Sequence, residues 1–275
     1  MSASKQIINK HEQMFYPTVR VRTNKSGGSG TVVYSKKHDG EAYTYVITNH
    51  HVVDNCIKVV KKWNPIKKKK IDTEILDTVQ VEYFRYNNYS HCIGSFAVEA
   101  DIVAYSECEG GQDWALLRLR DKERVSDYVA NLFPLGDIDD VHIFDPVYAV
   151  GASLGHPPIA SEGMLTYMDD EIDHYKYWMS SAQTIYGNSG GACYRWSASR
   201  KLYEWIGIPS RISVQPSGFS ADAITHMGYF IPVNRAYRLL EENGYEFIYD
   251  SNFTLEECLK ADEDSDDDSD GEDTK

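Results

Sequence analysis

The sequence predicts an all-β protein, built as barrels or sandwiches, that ends in a short helix and a disordered acidic tail. Short runs rich in Val, Ile, Thr, Tyr and Phe recur along its 275 residues and are bounded by Gly, Asn, Asp and Pro, as β-strands are. Regular helical segments do not separate these runs, which disfavours an α/β arrangement. The predicted strands occupy residues 18–22, 30–34, 43–48, 78–83, 96–105, 114–119, 146–151, 161–167, 177–180, 191–195, 202–209 and 228–231.

The segment after the last predicted strand has the pattern of a helix. Asn234 is its candidate N-cap, and Gly244 is its C-terminal stop. Ala236, Leu239 and Leu240 repeat at helical spacing between them. Residues with this spacing lie on one face, so the pattern favours a helix with one apolar face.

Residues 249–275 predict a second, shorter helix followed by the disordered tail. The helix begins at Thr254, where Glu257 completes a capping box. Residues 261–275 hold nine acidic residues and one lysine, and such a run cannot bury a core. The tail contributes −8 to the formal net charge of −14, leaving −6 for the body. This balance argues against nucleic acid as the main partner, because phosphate binding needs a clustered cationic surface.

Lysines cluster at one place in the body. Lys61, Lys62 and the four lysines at 67–70 form this basic run. A solvated loop is the simpler interpretation of such a run. The alternative is a docking site for an acidic partner, and the chain's own tail carries the complementary charge.

The N-terminal sequence and the spacing of the cysteines predict a cytoplasmic protein with no membrane partner. A viral or phage origin is left open. Residues 1–18 contain no apolar run that could form a signal-peptide core, and no stretch of about 18 apolar residues predicts a membrane span. The five cysteines are widely spaced and form no CxxC pair, so zinc and thioredoxin-type chemistry are not expected. They are interpreted as reduced thiols, with a secreted form holding two disulfides as the alternative.

The candidate nucleophile is Ser189, in the motif Gly187-Asn188-Ser189-Gly190-Gly191. Glycines on both sides let the backbone turn tightly and approach a substrate closely. The amides of this turn, at Gly187, Asn188 and Ser189, could then form an oxyanion hole. A glycine-rich hairpin turn is the alternative interpretation of so short a motif.

A serine hydroxyl needs a base that takes its proton, and the candidate is His51. It follows the predicted strand at 43–48, and Val52-Val53 continues an apolar turn that would bury its flank. The neighbouring His50 is the alternative base. Spacing alone does not separate the two.

The candidate carboxylate that orients the imidazole is Asp113. It precedes Trp114-Ala115-Leu116-Leu117, which has the character of a buried strand, so its carboxylate could be desolvated and held in place. Asp101 is the competitor, interpreted as a solvated strand residue. Histidine, aspartate and serine, in this order, supply the three parts of an acyl-transfer site, and together they predict a serine endopeptidase.

The chain resembles a trypsin-like serine peptidase of the chymotrypsin fold, and most closely the protease domain of the HtrA (Deg) family. The resemblance covers about residues 15–244. Gly28-Ser29-Gly30 is similar to the family's opening strand, Thr48-Asn49-His50-His51-Val52-Val53 to its Thr-Asn-x-His-Val-Val block, and Asp113-Trp114-Ala115-Leu116-Leu117 to Asp-Leu-Ala-Leu-Leu. These matches place the catalytic roles on His51 and Asp113. Further matches follow in order at 150–155, 187–191, 206–208 and 228–234.

The resemblance implies two six-stranded antiparallel β-barrels with the active site in the cleft between them. We expect an N-terminal arm at 1–14, a first barrel at 15–125 with the histidine and aspartate, a second barrel with the C-terminal helix at 126–248 and a short helix with the tail at 249–275. Only about 30 residues follow Gly244, so no PDZ domain is expected. Family-style regulation by peptide binding to such a domain is therefore in doubt. The family's trimer is also in doubt, because its N-terminal apolar contacts are not recognised in this sequence.

Two further expectations concern the surroundings of the site. The separation of 62 positions from His51 to Asp113 looks longer than in the family, and the extra length around 63–94 could form a hairpin beside the cleft. Gln183, six residues before the nucleophile, would lie at the base of the pocket that reads the residue before the scissile bond. Because Gln183 is uncharged, we expect a small-to-medium apolar residue there, with Ile208 and the segment 213–225 shaping the pocket. His226 does not match the glutamine-binding histidine of viral proteases.

The sequence therefore predicts catalysis through an acyl-enzyme, with no metal or organic cofactor. The expected partner is a protein or peptide substrate, while the oligomeric state is left open. Maturation of a viral or phage protein and cytoplasmic quality control are both compatible functions. The alternative is a protease-fold binding or scaffold module, although this chain keeps the complete triad. An esterase is disfavoured because its serine would precede its histidine.

Overall fold

The protein, a computed structural model that describes residues 4–64, 68–106, 112–217 and 220–260, is built mainly from antiparallel strands. Within these residues the labelled α-helices are α1 at Lys5–Lys10, α2 at His50–Val53 and α3 at Val233–Glu241. Residues 255–260 are also helical. The strands are β1 Thr18–Arg22, β2 Gly27–His38, β3 Glu41–Thr48, β4 Ile57–Asn64, β5 Lys69–Leu76, β6 Val79–Asn87, β7 His91–Tyr105, β8 Ala115–Leu119, β9 Pro146–Gly151, β10 Ile159–Ile172, β11 Tyr175–Ser180, β12 Ala192–Ser197, β13 Leu202–Ser217 and β14 Ser220–Pro232.

Twelve of these strands close into two six-stranded barrels. The first has the order β1-β2-β3-β8-β7-β6, and the second has the order β10-β11-β14-β13-β12-β9. Closure pairs the edge strands that an open sheet would expose. The predicted all-β fold of two antiparallel barrels is therefore confirmed.

Strands β4 and β5 form a separate two-stranded hairpin, paired from Ile57↔Leu76 to Asn64↔Lys69. The extra length was expected to form a hairpin around 63–94, and no strand was predicted between residues 48 and 78. The hairpin instead occupies 57–76, so it overlaps only part of the expected range, and the following residues enter the first barrel as β6 and β7. The lysine-rich β4 lacks the alternating apolar face that marks a strand in sequence. Of the basic run that was expected in a loop, Lys61 and Lys62 lie on β4 and Lys69 and Lys70 on β5, Lys68 lies in the turn, and Lys67 is outside the described residues.

Strands β3 and β8 are apolar on both faces because they lie between two cores. Val46 and Leu117 belong to the core of the first barrel. Tyr45, Ile47 and Leu116 belong to the larger core that includes the second barrel. The near-continuous apolar runs in these two strands follow from this position, since neither face meets solvent.

The pairing of β3 with β8 brings the two predicted site segments of the first barrel together. The strands are antiparallel, and Thr48 at the end of β3 lies opposite Ala115 at the start of β8. His51 follows the first of these residues and Asp113 precedes the second. The two side chains therefore lie at the same end of the barrel, although 62 residues separate them in sequence.

Helix α3 has the predicted apolar face and end but a different beginning. Ala236, Leu239 and Leu240 are buried, and Gly244 has φ +76° after the helix, a conformation that glycine adopts easily. The N-cap is Pro232, not Asn234, because β14 runs directly into the helix and leaves no cap residue between them. The predicted Thr254 capping box is present further on, with the Thr254 amide donating to Glu257 Oε2 over 2.8 Å.

Cys56, Cys92 and Cys193 are free thiols, and Cys108 lies outside the described residues. The acidic tail at 261–275 is outside them as well. In the part of the chain that the structure describes, no helix is long and apolar enough to cross a membrane.

Arg20 on β1 and Glu82 on β6 form a nearly buried ion pair. The Nε and Nη2 atoms of Arg20 donate to Glu82 Oε2 over 2.8 and 2.5 Å, and Ser95 Oγ donates to the other carboxylate oxygen over 2.6 Å. We expect Arg20→Gln to lower the free energy of unfolding by about 3 kcal/mol, because it leaves an under-compensated buried carboxylate. Urea denaturation at neutral pH measures this change.

The dependence of the free energy of unfolding on pH tests the same ion pair. Burial alone raises the pKa of Glu82, but hydrogen bonds from Ser95 and Arg20 and the nearby guanidinium charges hold that pKa below its ordinary value. The stabilisation is therefore present above the ordinary carboxylate pKa and is lost as the pH falls through the folded-state value.

Arg120→Gln, which removes an exposed ion pair with Asp101, is the control for the urea experiment and should barely move the urea midpoint. Equal midpoints for the two variants would contradict the prediction.

Candidate active site

His51 projects from the short helix α2, which begins two residues after β3 ends. Val52 and Val53 are buried and fix the helix to the barrel, whereas the His51 side chain is 49 % exposed. His50 is buried and stacks on Tyr105 with ring centroids 5.4 Å apart. Burial lowers the pKa of His50 below its ordinary value. Of the two candidate bases, the structure therefore brings His51 to the carboxylate.

Three donors converge on the Asp113 carboxylate. His51 Nδ1 lies 2.9 Å from both of its oxygens, the His51 backbone N–H donates to Oδ1 over 3.0 Å and Ser210 Oγ donates to Oδ2 over 2.5 Å. Burial by itself would raise the pKa of Asp113, but the hydrogen bonds from His51 and Ser210 and the charge of His51 hold it below its ordinary value. The carboxylate is thus ionised and fixed in place near neutral pH.

The Asp113 backbone is held in an unusual conformation. Its φ is +50°, which is uncommon for a residue other than glycine. Asn49 Nδ2 donates to the Asp113 carbonyl over 2.7 Å and so ties this turn to the start of α2. The competing Asp101 pairs with Arg120 over 2.7 Å on the surface of the first barrel. Asp101 is therefore not part of the site.

The loop that carries Ser189 is fixed by backbone contacts to both barrels. The Ser29 amide of β2 donates to the Ser189 carbonyl over 2.8 Å, and the Gly190 amide donates to the Pro209 carbonyl of β13 over 3.0 Å. A Cβ on Gly190 would lie 3.1 Å from the Asn49 amide nitrogen, so the loop touches the segment that leads to His51. Between described residues no hydrogen bond joins Ser189 Oγ to His51, and such bonds often tighten only when substrate binds.

The amides of Gly187 and Ser189, predicted to form an oxyanion hole, each follow a peptide carbonyl that is anchored to the backbone. The Tyr186 carbonyl accepts from the Leu154 amide, and the Asn188 carbonyl accepts from the Gly191 amide, both over 2.9 Å. In a trans peptide the N–H points opposite to the C=O, so the amides of Gly187 and Ser189 face away from these anchors. Neither amide donates a hydrogen bond to any described residue.

Asn188, also predicted for the oxyanion hole, has a different position. Its amide donates to the Ile185 carbonyl over 3.1 Å, and its buried side chain accepts a hydrogen bond from Ser153 Oγ. The residue therefore supports the turn and does not present its amide to the cleft. This is a correction to the predicted set of oxyanion donors.

The specificity residues predicted from sequence are placed differently from the expectation. Gln183 is exposed, and its carbonyl accepts from Ser161 Oγ over 2.8 Å. Ile208 is fully buried in the core and so does not line an open pocket. The next residue, Thr184, is buried beside Gly228, where an added Cβ would lie 2.6 Å from Thr184 Oγ1. Sequence reasoning missed this pair, as it missed Ser210 and Asn49.

Two other features expected from sequence lie on β13 and β14. The segment 213–225 is mostly the β13–β14 hairpin, of which residues 218 and 219 are outside the described part. His226 is exposed on β14. Among the described residues no cluster of three or more His, Cys, Asp or Glu side chains could hold a metal ion.

Comparison with solved structures finds HtrA-type proteases. An HtrA-type protease, AlgW, with a tripeptide has a TM-score of 0.56 at 18 % identity, covering 87 % of this chain and 64 % of that one. The serine endoprotease from Yersinia pestis has the same TM-score and identity, covering 88 % of this chain and 68 % of that one. Deg5 has a TM-score of 0.56 at 16 % identity, with coverages of 86 % and 94 %. At these identities the likeness shows the fold.

This chain spans less than two thirds of the AlgW chain that it matches. No curated protein matches the sequence significantly. A family model, described as a trypsin-like peptidase domain, matches residues 28–200, more than half of the chain and the part that contains His51, Asp113 and Ser189. The predicted membership of the trypsin-like peptidase family and the predicted HtrA-like fold are thereby confirmed. The chain belongs to the family of trypsin-like peptidase domains.

Proposed function

We propose that this chain hydrolyses peptide bonds with Ser189 as nucleophile, His51 as general base and acid, and Asp113 as the group that orients the imidazole. The observation that carries the proposal is the set of three donors on the Asp113 carboxylate. Because this carboxylate accepts from His51 Nδ1–H, the Nε2 atom of the neutral ring keeps its lone pair. That lone pair is what a general base for Ser189 requires.

The reaction follows from this tautomer. As Ser189 Oγ attacks the scissile carbonyl carbon, its proton passes to His51 Nε2, and the carbonyl oxygen becomes an oxyanion that accepts from the Gly187 and Ser189 amides. Asp113 stabilises the imidazolium. His51 then gives the proton to the leaving amine nitrogen, the C–N bond breaks and an acyl-enzyme remains. Water, deprotonated by His51, attacks the acyl carbon and releases Ser189.

The proposed substrate is a protein segment with an uncharged residue before the scissile bond. Thr184 and Gly228, beside the nucleophile loop, offer no charge to a basic or acidic side chain. Maturation of a viral or phage precursor would require cleavage at a few defined bonds, whereas quality control would require cleavage of many unfolded chains. Profiling of cleavage sites in a denatured protein mixture separates the two functions.

Labelling with a fluorophosphonate probe, measured by intact mass, tests the proposed triad. Wild type should gain one adduct, Ser189→Ala none, and His51→Ala should label at least about 10³-fold more slowly. Ser199→Ala, which changes an exposed serine outside the site, is the matched control and should label like wild type. Labelling that survives Ser189→Ala would identify a different nucleophile. A folded wild type that stays unlabelled would contradict an assembled triad.

A further inference from the structure

A pocket of about 350 Å³ opens beside the candidate oxyanion hole. Its charged lining residues are Arg20 and Arg22, which project from β1. The rest of its wall comes from the start of β2, from the turn after β9 and from the nucleophile loop, including Gly28, Leu154, Tyr186 and Gly187. Gly187 thus contributes to both the oxyanion hole and this pocket.

The positive charge of the pocket is only partly neutralised. All three guanidinium nitrogens of Arg20 are engaged, two by Glu82 and one by the Gly155 carbonyl. Arg22 is half-exposed, and its Nε lies 3.3 Å from the same Glu82 carboxylate. The terminal nitrogens of Arg22 donate no hydrogen bond to a described residue. Two guanidiniums therefore share one carboxylate, and Arg22 keeps donors available for a second one.

The position of the pocket relative to Ser189 indicates which part of a substrate would reach it. The wall formed by Thr184 and Gly228 lies on the β13–β14 side of the nucleophile loop. The pocket is a second side, lined by β1, β2 and the turn after β9 and by no residue of β13 or β14, and a Cβ on Gly28 would be 3.0 Å from the Ser189 carbonyl. A substrate whose acyl part occupies the first side extends its leaving segment toward the second. Gly187 belongs to both the candidate oxyanion hole and the pocket, and three residues of an extended chain span about 10 Å, so the first residues after the scissile bond are those that reach it.

We propose that this pocket selects an acidic side chain within the first three residues after the scissile bond, and that Arg22 binds that side chain. The inference rests on the proposed function and names the substrate class of the same site. Leu154 and Tyr186 are each 65 % exposed at the pocket. A bound peptide would cover these two side chains and exclude water from the new ion pair, which strengthens it.

Matched peptides test the preference. Peptides built on a cleavage site of the wild type, amidated at the C-terminus, would carry Glu or Gln at each of the first three positions after the bond. We expect kcat/KM for the best Glu peptide to exceed that of its Gln partner by about 5-fold at low salt, as for a partly exposed ion pair. The ratio should fall toward one at about 1 M salt.

Variants of Arg22 assign the preference to one side chain. Arg22→Gln should bring the Glu/Gln ratio to about one, and Arg22→Glu should favour a Lys peptide over the Glu peptide. Arg22 is changed in place of Arg20 because Arg20 then still donates its two hydrogen bonds to Glu82. Arg124→Gln removes an exposed arginine elsewhere on the first barrel and is the matched control, with an unchanged ratio expected.

Each outcome decides the inference. A wild-type ratio near one, or a ratio that persists in Arg22→Gln, overturns it, while fluorophosphonate labelling of Ser189 would leave the proposed function standing. Failure of wild type to label or cleave overturns the proposed function and this inference with it. A ratio lost only in the Arg22 variants supports the assignment.

Discussion

Asp113→Asn is expected to lower kcat/KM by about 10⁴-fold near neutral pH while the protein stays folded. The carboxylate accepts from His51 N–H, His51 Nδ1–H and Ser210 O–H at once. An asparagine oxygen can replace only one carboxylate oxygen, and its NH₂ group must occupy the other position. With the oxygen on the His51 backbone amide, the NH₂ group faces Nδ1 and Ser210. The ring then accepts at Nδ1 and carries its proton on Nε2, so it cannot take the proton of Ser189.

The measurement is the initial rate of peptide cleavage together with the rate of fluorophosphonate labelling, and circular dichroism checks the fold. Asp101→Asn is the matched control, because Asp101 is a carboxylate of the same barrel whose partner is the exposed Arg120. It should cleave at the wild-type rate. A loss of less than about tenfold in Asp113→Asn would mean that this carboxylate does not set the tautomer of His51.

The strands that could be predicted from sequence are those with an apolar face. Each of the twelve predicted ranges overlaps an observed strand, because alternating β-branched and aromatic residues are a local signal. Their ends were predicted too early where the strands leave the core. Strand β10 continues to Ile172 and β13 to Ser217, through polar residues held by cross-strand pairing. A hairpin was expected nearby, but its strands β4 and β5 were not predicted, for the same reason.

The candidate site was predictable where a residue belongs to a motif. His51, Asp113 and Ser189 each sit in such a motif, but closure of the barrels, which brings them together, depends on long-range pairing. Ser210 belongs to no motif. The only sign of its role was its position, as a small polar residue directly after the predicted strand that ends at Pro209. The sequence selected Gln183 for the specificity pocket, whereas the residue that is buried beside Gly228 is the next one, Thr184. Adjacent residues of an extended segment point to opposite sides, so one side chain is exposed and the other buried.

Gly190→Ala is expected to slow fluorophosphonate labelling by about 10²-fold or more, because a shift of about 1 Å in a reacting group costs that much. The new Cβ would lie 2.2 Å from the Ser29 carbonyl oxygen and 2.3 Å from Thr48 Oγ1. These atoms are themselves fixed, since Thr48 Oγ1 donates to that carbonyl over 2.7 Å. The φ of +83° adds strain for any residue with a side chain. We also expect the free energy of unfolding to fall by about 3 kcal/mol.

The matched control is Gly94→Ala on β7, where an added Cβ meets no atom within 4 Å. It removes the same backbone freedom in a strand of the first barrel, so it should label like wild type and unfold at a similar urea concentration. Equal slowing in both variants would mean that loss of glycine flexibility, and not contact at Ser29, disturbs the site. A wild-type labelling rate in Gly190→Ala would mean that Ser189 is positioned without this close approach of the two barrels. Slowing in Gly190→Ala alone ties the position of the nucleophile to the β2 backbone, and so to the segment that carries His51.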